Sequence, residues 1–172
     1  MQIRDAQTAD IAGILAIYND VIATSTAVYS SQAVSWEDRR AWFDTRRAHG
    51  FPVLVAEAAG EIVGFSSFGE FRGAWQGYRY SVEHTVHVRA DSRGRGIGPR
   101  LVEALFPLAA ASGKHVMIGG VEAGNQVSLR MHEQLGFEQV ARFREVGRKF
   151  GRWLDLVFLQ RILDGAGAAR PD

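Results

Sequence analysis

Residues 86–100 read VHVRADSRGRGIGPR, and this stretch decides the fold that we expect. It joins an alternating apolar strand to a loop with three glycines, and an apolar-periodic segment from Leu101 to Ala110 follows at once. Glycines at the start of a helix leave backbone N–H groups unpaired at the positive end of the helix dipole, where phosphate binds. Arg93, Arg95 and Arg100 add positive charge nearby. The stretch therefore predicts a site for a phosphorylated cofactor.

The length and composition indicate one globular domain. The chain has 172 residues, of which 47% are hydrophobic and 23% are charged. A net charge of +1 argues against nucleic acid as a main partner and against binding to a charged membrane surface. The sequence contains no cysteine, which excludes disulfides and thiolate chemistry. We expect a cytoplasmic protein, because no apolar run approaches a membrane span and the first residues have no signal-peptide core.

The predicted elements follow the order β-α-α-β-β-β-α-β-α-β-β, which indicates a mixed sheet with helices on its faces. A capping box at residues 35–38 (SWED) predicts a helix that ends near Gly50. Pro107 should kink or shorten a helix predicted over residues 97–111. We expect one domain over residues 1–163 and a disordered tail over residues 164–172. The predicted strands are residues 2–4, 52–57, 61–68, 80–88, 115–121, 138–146 and 153–162, and the other helices begin at Thr8 or Asp10 and at Asn125.

The glycine loop is one of several segments that resemble the GNAT superfamily of N-acetyltransferases. The signature Gln/Arg-x-x-Gly-x-Gly/Ala, which lies between the fourth strand and third helix of that family, reads RGRGIG at residues 93–98. A second family element, an Asn that opens the next helix and an aromatic residue after Leu-Gly, reads Asn125 and Leu135-Gly136-Phe137. The resemblance implies the GNAT fold, an α/β (α+β) architecture. Its mixed, mostly antiparallel sheet has about seven strands, helices on both faces and a splay between strands 4 and 5.

Four further segments are similar to the phosphinothricin and methionine sulfoximine acetyltransferase branch. They are residues 16–20 (AIYND), 83–86 (EHTV), 130–137 (RMHEQLGF) and 149–155 (KFGRWLD). The resemblance implies direct transfer of the acetyl group of acetyl-CoA to the amine of a small amino acid or analogue, such as phosphinothricin, methionine sulfoximine or methionine sulfone. Residues 149–155 are candidates for closing the site or for a contact in a homodimer.

The resemblance also assigns residues to acetyl-CoA. Backbone amides of residues 93–98 would hold the pyrophosphate, and the backbone of residues 86–88 would pair with the pantetheine arm. Asn125 would both cap its helix and contact the pantetheine. An ordinary strand-to-helix turn is the alternative for the glycine loop, which lacks the features of a Walker or dinucleotide-binding motif. The predicted acetyl-CoA contacts are Val86, His87, Val88, Arg93, Gly94, Arg95, Gly96, Ile97, Gly98, Asn125 and Ser128.

Glu83 and His132 are the candidate catalytic residues. In a strand, residues 83, 85 and 87 share one face and residues 84, 86 and 88 share the other. A partly desolvated Glu83 carboxylate could accept the proton that an ammonium must lose before the amine attacks a thioester. The resemblance places a catalytic glutamate here, and a strand-end carboxylate facing water is the alternative. His132 replaces a tyrosine that protonates the leaving thiolate in many GNAT enzymes, and an imidazole packed against the sheet is an equal alternative.

Arg72 and Arg79 flank an aromatic loop at residues 71–78 (FRGAWQGY). A guanidinium offers a bidentate fork to the carboxylate of an amino-acid substrate. Arg72 resembles the basic residue of the branch's substrate loop, although its spacing to Glu83 is one residue longer than in the methionine sulfoximine enzymes. No metal is expected, because His84 and His87 point to opposite faces of a strand. The predicted substrate contacts are Arg72, Gly73, Ala74, Trp75, Glu83, His84 and Thr85.

Other functions stay open at this point. A GNAT enzyme could act on a protein N-terminus, a polyamine or an aminoglycoside, but a carboxylate-binding Arg72 would be useless to a polyamine enzyme. A non-catalytic acyl-CoA-binding module would bind acetyl-CoA without consuming it. A helix-turn-helix around residues 128–137 is disfavoured by the near-zero net charge.

Overall fold

The computed structural model describes residues 1–163, so the predicted tail lies outside the described residues. Seven strands and five helices of these residues build the domain. The strands are β1 (Gln2–Asp5), β2 (Val53–Ala58), β3 (Glu61–Glu70), β4 (Ser81–Val88), β5 (Val116–Glu122), β6 (Glu138–Lys149) and β7 (Arg152–Ile162). The helices are α1 (Ile11–Thr24), α2 (Trp36–Ala48), α3 (Ile97–Glu103), α4 (Leu105–Ala111) and α5 (Gln126–Gln134).

All seven strands form one sheet in the order β1-β2-β3-β4-β5-β7-β6. Only β4 and β5 are parallel, and they pair at three positions alone, Ser81–Val116, Val82–Met117 and Glu83–Ile118. Beyond Glu83 the two strands separate although both continue, so their facing backbone edges are not paired with each other. This arrangement confirms the predicted mixed, mostly antiparallel sheet and its splay.

Helices cover both faces of the sheet, as predicted. On one face α1 and α2 bury Ile11, Ile14 and Phe43 against Val55 and Phe65. On the other face α3, α4 and α5 bury a larger cluster that includes Leu101, Leu105, Met117, Leu129 and Leu159. Removal of this apolar surface from water drives the packing of both layers. No helix among residues 1–163 is long and apolar enough to cross a membrane.

Local signals set the start of α2 and the break between α3 and α4. Ser35 Oγ accepts a hydrogen bond from the Asp38 N–H at 3.0 Å, and the Ser35 N–H donates to Asp38 Oδ2 at 3.1 Å. This confirms the capping box. The segment predicted as one helix over residues 97–111 divides after Glu103, four residues before Pro107. Proline has no N–H for the carbonyl four residues earlier and its ring clashes with that carbonyl, which explains the position of the break.

Candidate active site

A cleft of about 1140 Å³ lies where β4 and β5 separate. One wall is formed by residues 86–88 and the glycine loop, and the opposite wall by Asn125 and the first turns of α5. The structure brings together ten of the eleven predicted acetyl-CoA contacts in this lining. They are Val86, His87, Val88, Arg93, Gly94, Gly96, Ile97, Gly98, Asn125 and Ser128. Arg95 is not part of the lining, and its guanidinium donates to the Asp91 carbonyl at 3.2 Å.

The glycine loop exposes backbone donors toward the cleft. Gly94 and Gly96 have φ angles of +75° and +72°, and Gly96 is the N-cap of α3. These left-handed angles favour glycine, because a side chain adds strain there. The backbone N–H groups of Gly94, Arg95 and Gly96 donate to no acceptor within residues 1–163. Gly98 serves packing instead, since a Cβ there would lie 3.2 Å from Met131 Sδ. The loop thus has the conformation and the free donors that a pyrophosphate requires.

Asn125 forms the N-cap of α5, as predicted. Its Oδ1 accepts a hydrogen bond from the Ser128 N–H at 3.1 Å. A third wall of the cleft comes from the last residue of α1 and the chain that follows it, residues 24–27. The buried Lys149 ammonium donates to the Ser25 and Val28 carbonyls, each at 2.7 Å. The 149–155 segment therefore holds this wall in place, which fits the predicted part in closing the site.

Glu83 lies half-buried on the face of β4 that carries α1 and α2, next to the point of separation. It is in register with Gly69 of β3 and Ile118 of β5. A Cβ at Gly120 would lie 3.2 Å from Glu83 Oε1, so the carboxylate faces the β5 side of the gap. Burial raises the pKa of Glu83, and the positive charge of Arg46 opposes that rise. A carboxylate with a raised pKa is a stronger base than an exposed one.

His84 and His132 form a buried pair on the opposite face. Their Nε2 atoms are 3.1 Å apart, and His132 Nδ1 lies 2.7 Å from the Ser128 carbonyl oxygen. A carbonyl only accepts, so the Nδ1 of His132 carries the proton and its Nε2 accepts the N–H of His84. Burial lowers the pKa of His84 to about 3 and also lowers the pKa of His132. Both rings are therefore neutral near pH 7.

The geometry of this pair tests the prediction that His132 protonates the leaving thiolate. Glu83, His84 and His132 all lie outside the lining of the cleft, but Glu83 is half-buried beside the gap whereas His132 is 2% exposed. A neutral imidazole is a poor acid, and the Nε2 of His132 carries no proton in this arrangement. The geometry thus favours the packed alternative that the sequence left open. His84 lies beneath α5, whereas the substrate-pocket candidates Glu83 and Thr85 share the other face.

The aromatic loop that carries Arg72 lies outside the cleft, between the end of β3 and the start of β4. Arg72 is exposed, and its guanidinium carbon lies 4.9 Å from the ring centroid of Trp75 and 5.3 Å from that of Tyr78. Residues 73–75, which include Gly73 and Ala74, are exposed as well. The described residues place no carboxylate within salt-bridge distance of Arg72. Its positive charge is available to a ligand.

Comparison with known proteins decides the family. A model of the acetyltransferase (GNAT) family matches residues 15–137. The chain belongs to the GNAT family. It is 49% identical over 168 residues to the L-methionine sulfoximine/L-methionine sulfone acetyltransferase of Pseudomonas aeruginosa, covering 97% of each chain.

Two further GNAT relatives match along almost their full length. The phosphinothricin N-acetyltransferase of Streptomyces coelicolor is 34% identical, covering 95% of this chain and 96% of that one. An acetyltransferase of Salmonella typhimurium, solved with acetyl-CoA, gives a TM-score of 0.94 at 44% identity. That match covers 100% of this chain and 98% of the other.

Sequence reasoning missed two features of this GNAT site. Gly119 and Gly120 lie consecutively in β5, and a Cβ on either would touch a side chain at the gap. Two glycines inside a strand are a signal of close approach that could have revealed them. Arg39 and Arg46 lie on the same helical stripe as the buried Phe43, at spacings of four and seven residues from Arg39. Arginines on an apolar stripe were the available signal for this pair.

Proposed function

We propose that the protein is an N-acetyltransferase that uses acetyl-CoA to acetylate the amine of a small amino acid or amino-acid analogue. The observation that carries this proposal is the cleft at the splay, lined by the glycine loop on one side and by α5 on the other. The substrate class follows the relatives, which are named for methionine sulfoximine, methionine sulfone and phosphinothricin.

The residues of the cleft fit acetyl-CoA. When bound, this co-substrate supplies the acetyl group as a thioester. In the proposal the backbone N–H groups of residues 93–98 hold its pyrophosphate, and the unpaired edge of β4 beyond Glu83 binds the pantetheine arm. A backbone N–H near Val86 polarises the thioester carbonyl. Asn125 lies across the cleft from this edge.

Glu83 is the proposed general base. It accepts the proton of the substrate ammonium, directly or through a water, so that the neutral amine can attack the thioester. Its raised pKa and its position beside the gap support this role. The transfer is direct, because the chain has no cysteine to carry an acyl intermediate. We assign His132 to packing, and the thiolate takes its proton from solvent.

Arg72 is the proposed partner of the substrate carboxylate. Its exposed guanidinium lies on the loop that leads into β4. Glu83 is the third residue of that strand. We expect Arg72→Ala to raise the KM for an amino-acid substrate about tenfold with little change in kcat, because a charged hydrogen bond contributes about 1.5–3 kcal/mol. Arg79→Ala is the matched control, since Arg79 donates to Tyr80 instead. Steady-state kinetics with equal KM values for both variants would mean that another group holds the carboxylate.

We also propose a cytoplasmic homodimer. The support is a group of apolar side chains on the β6–β7 hairpin, Phe143, Val146, Phe150 and Trp153, which are 45–60% exposed. β6 is an edge strand of the sheet, and an exposed apolar edge favours association. Sedimentation equilibrium tests the dimer, and a monomer at micromolar concentration would contradict it.

The decisive experiment is a free-thiol release assay with acetyl-CoA and a panel of amines. Methionine sulfoximine, methionine sulfone and phosphinothricin should release CoA, and spermidine and kanamycin should not. Acetyl-CoA binding without release by any amine would support a non-catalytic binding module instead. Faster release of CoA with spermidine or kanamycin would show that the enzyme acts on a different class of amine.

A further inference from the structure

Arg46 places a cation beside Glu83 without forming a salt bridge. The side chain extends from α2, and its guanidinium occupies the space that a Cβ at Gly69 would take. Gly69 and Glu83 are register partners across β3 and β4. Since the Cβ atoms of such partners are about 5 Å apart, the guanidinium stands at the cross-strand neighbour position of Glu83. Glycine at position 69 makes this placement possible.

The packing around Arg46 holds this charge in place. The guanidinium carbon lies 5.8 Å from the ring centroid of Trp42 and 5.9 Å from that of Phe51. Arg46 Nε is buried and has no hydrogen-bond partner within residues 1–163. Nor does any carboxylate of the described residues lie within 4 Å of Arg46. A half-buried cation with no ion-pair partner needs a function that offsets its desolvation.

The surroundings of Glu83 supply that function. Burial raises the pKa of Glu83, and a protonated carboxyl cannot accept a proton from an ammonium. Arg46 opposes the rise; burial lowers the pKa of Arg46, and the charges of Glu83 and Glu70 oppose that fall. The groups that face Glu83 are Arg46 from α2, Thr85 and then His87 from β4, Gly120 from β5 and Phe158 from β7, and the charge of Glu70 from β3 acts on Arg46. Within the described part of the chain, Arg46 is thus the cation adjacent to Glu83.

We propose that Arg46 is a positioning residue for acetyl transfer, whose guanidinium, seated over Gly69, keeps Glu83 in the ionised form that accepts the ammonium proton. This inference rests on the proposed function, because it takes Glu83 as the base. The carboxylate then lies between a fixed cation on one side and the gap beside Gly120 on the other. Arg46 touches no reacting atom and acts through Glu83 alone.

The test is the pH profile of kcat/KM for methionine sulfone at saturating acetyl-CoA. We expect Arg46→Met to move the acidic limb to higher pH. On the acidic limb, at pH values below both apparent pKa values, kcat/KM should fall about tenfold, because a neighbouring opposite charge shifts the pKa of a carboxyl group by about one unit or more. The wild-type and variant profiles should converge at high pH. Arg46→Lys keeps the positive charge, so its acidic limb should lie close to that of the wild type.

Two controls isolate the effect. Arg47→Met removes an exposed arginine from the next position of α2 and should leave the profile unchanged. Gly69→Ala leaves Arg46 in the chain but displaces its guanidinium, and should move the limb in the same direction as Arg46→Met. The substrate ammonium titrates identically for every variant, so any difference in the limb belongs to the protein. If Arg46→Met does not fold, the Gly69→Ala and Arg46→Lys profiles decide the question.

Two results would overturn the role of Arg46. One is an acidic limb that coincides with wild type in Arg46→Met. The other is a higher KM for methionine sulfone with the limb unmoved, which would make Arg46 a substrate ligand. Glu83→Gln in the same series separates this proposal from the proposed function. Wild-type turnover in Glu83→Gln would show that Glu83 is not the base, and the proposed function of Glu83 would fail. Lost turnover in Glu83→Gln, together with an acidic limb that does not move in Arg46→Met, would contradict only the role of Arg46.

Discussion

Glu83 and His84 are neighbours in β4, yet their side chains lie in opposite electrostatic surroundings. Glu83 is half-buried beside the cation of Arg46, on the face covered by α1 and α2. His84 is buried under α5, and its Nε2–H donates to the neutral ring of His132. One strand therefore presents a charged group that can take a proton and a neutral pair that holds its protons. The difference shows that the alternation of side chains along β4 places a proposed catalytic group on one face and a packed pair on the other.

Gly119 and Gly120 of β5 each lie next to one of these two faces of β4. A Cβ at Gly119 would lie 2.9 Å from His84 Nε2 and 3.1 Å from His132 Nε2. A Cβ at Gly120 would lie 3.2 Å from Glu83 Oε1 and 3.3 Å from the Phe158 ring. Each face of the site thus requires its own glycine, and the two faces can be perturbed separately.

The largest expected effect is a difference in kcat between variants of Glu83 and of His132, which lie on opposite faces of the sheet. Glu83→Gln should lower kcat by about 10²–10⁴-fold, the usual contribution of a general base, with an unchanged Kd for acetyl-CoA. His132→Asn, on the neutral face, should lower kcat by less than about tenfold. Thiol-release kinetics and titration calorimetry give the two readouts. Equal losses in both variants would make both faces catalytic and restore His132 as the proton donor.

The second effect is a loss of stability in acid that originates on the neutral face. Because burial lowers the pKa of His84 to about 3, the folded state binds fewer protons than the unfolded state between that value and the ordinary 6.5. The free energy of unfolding therefore falls as the pH drops below 6.5, by about 2 kcal/mol for His84 between pH 7 and pH 5. Urea titrations at both pH values measure it. His84→Gln should flatten the dependence, and an unaltered slope in that variant would assign it to other groups.

The smallest effect compares the two glycines. Gly119→Ala should reduce the free energy of unfolding by about 1–3 kcal/mol, because its Cβ meets two buried rings that cannot move aside. Gly120→Ala should reduce it less, since the Glu83 carboxylate is the end of a flexible side chain, but should lower kcat by displacing that carboxylate. Thermal melts and thiol release distinguish the two patterns. A larger stability loss at position 120 than at position 119 would contradict the division.

Much of the fold was predictable because its signals are local. The capping box at Ser35, the loop glycines Gly94 and Gly96, and the cap at Asn125 each depend on neighbours within a few residues. The alternation of β4 predicted which side chains share a face, and the register with β3 agrees. Pro107 predicted a disturbance of its helix, and the break falls after Glu103, whose carbonyl would receive no hydrogen bond from the proline.

The sequence by itself determined the family resemblance, the order of the elements and the composition of the glycine loop, because each is carried by residues adjacent in the chain. Only the tertiary structure decided that Arg46 stands over Gly69, and that His132 meets His84 across 48 positions of sequence. These contacts depend on strand register and on how a helix lies against the sheet. No local pattern encodes either, since both follow from the packing of the whole core.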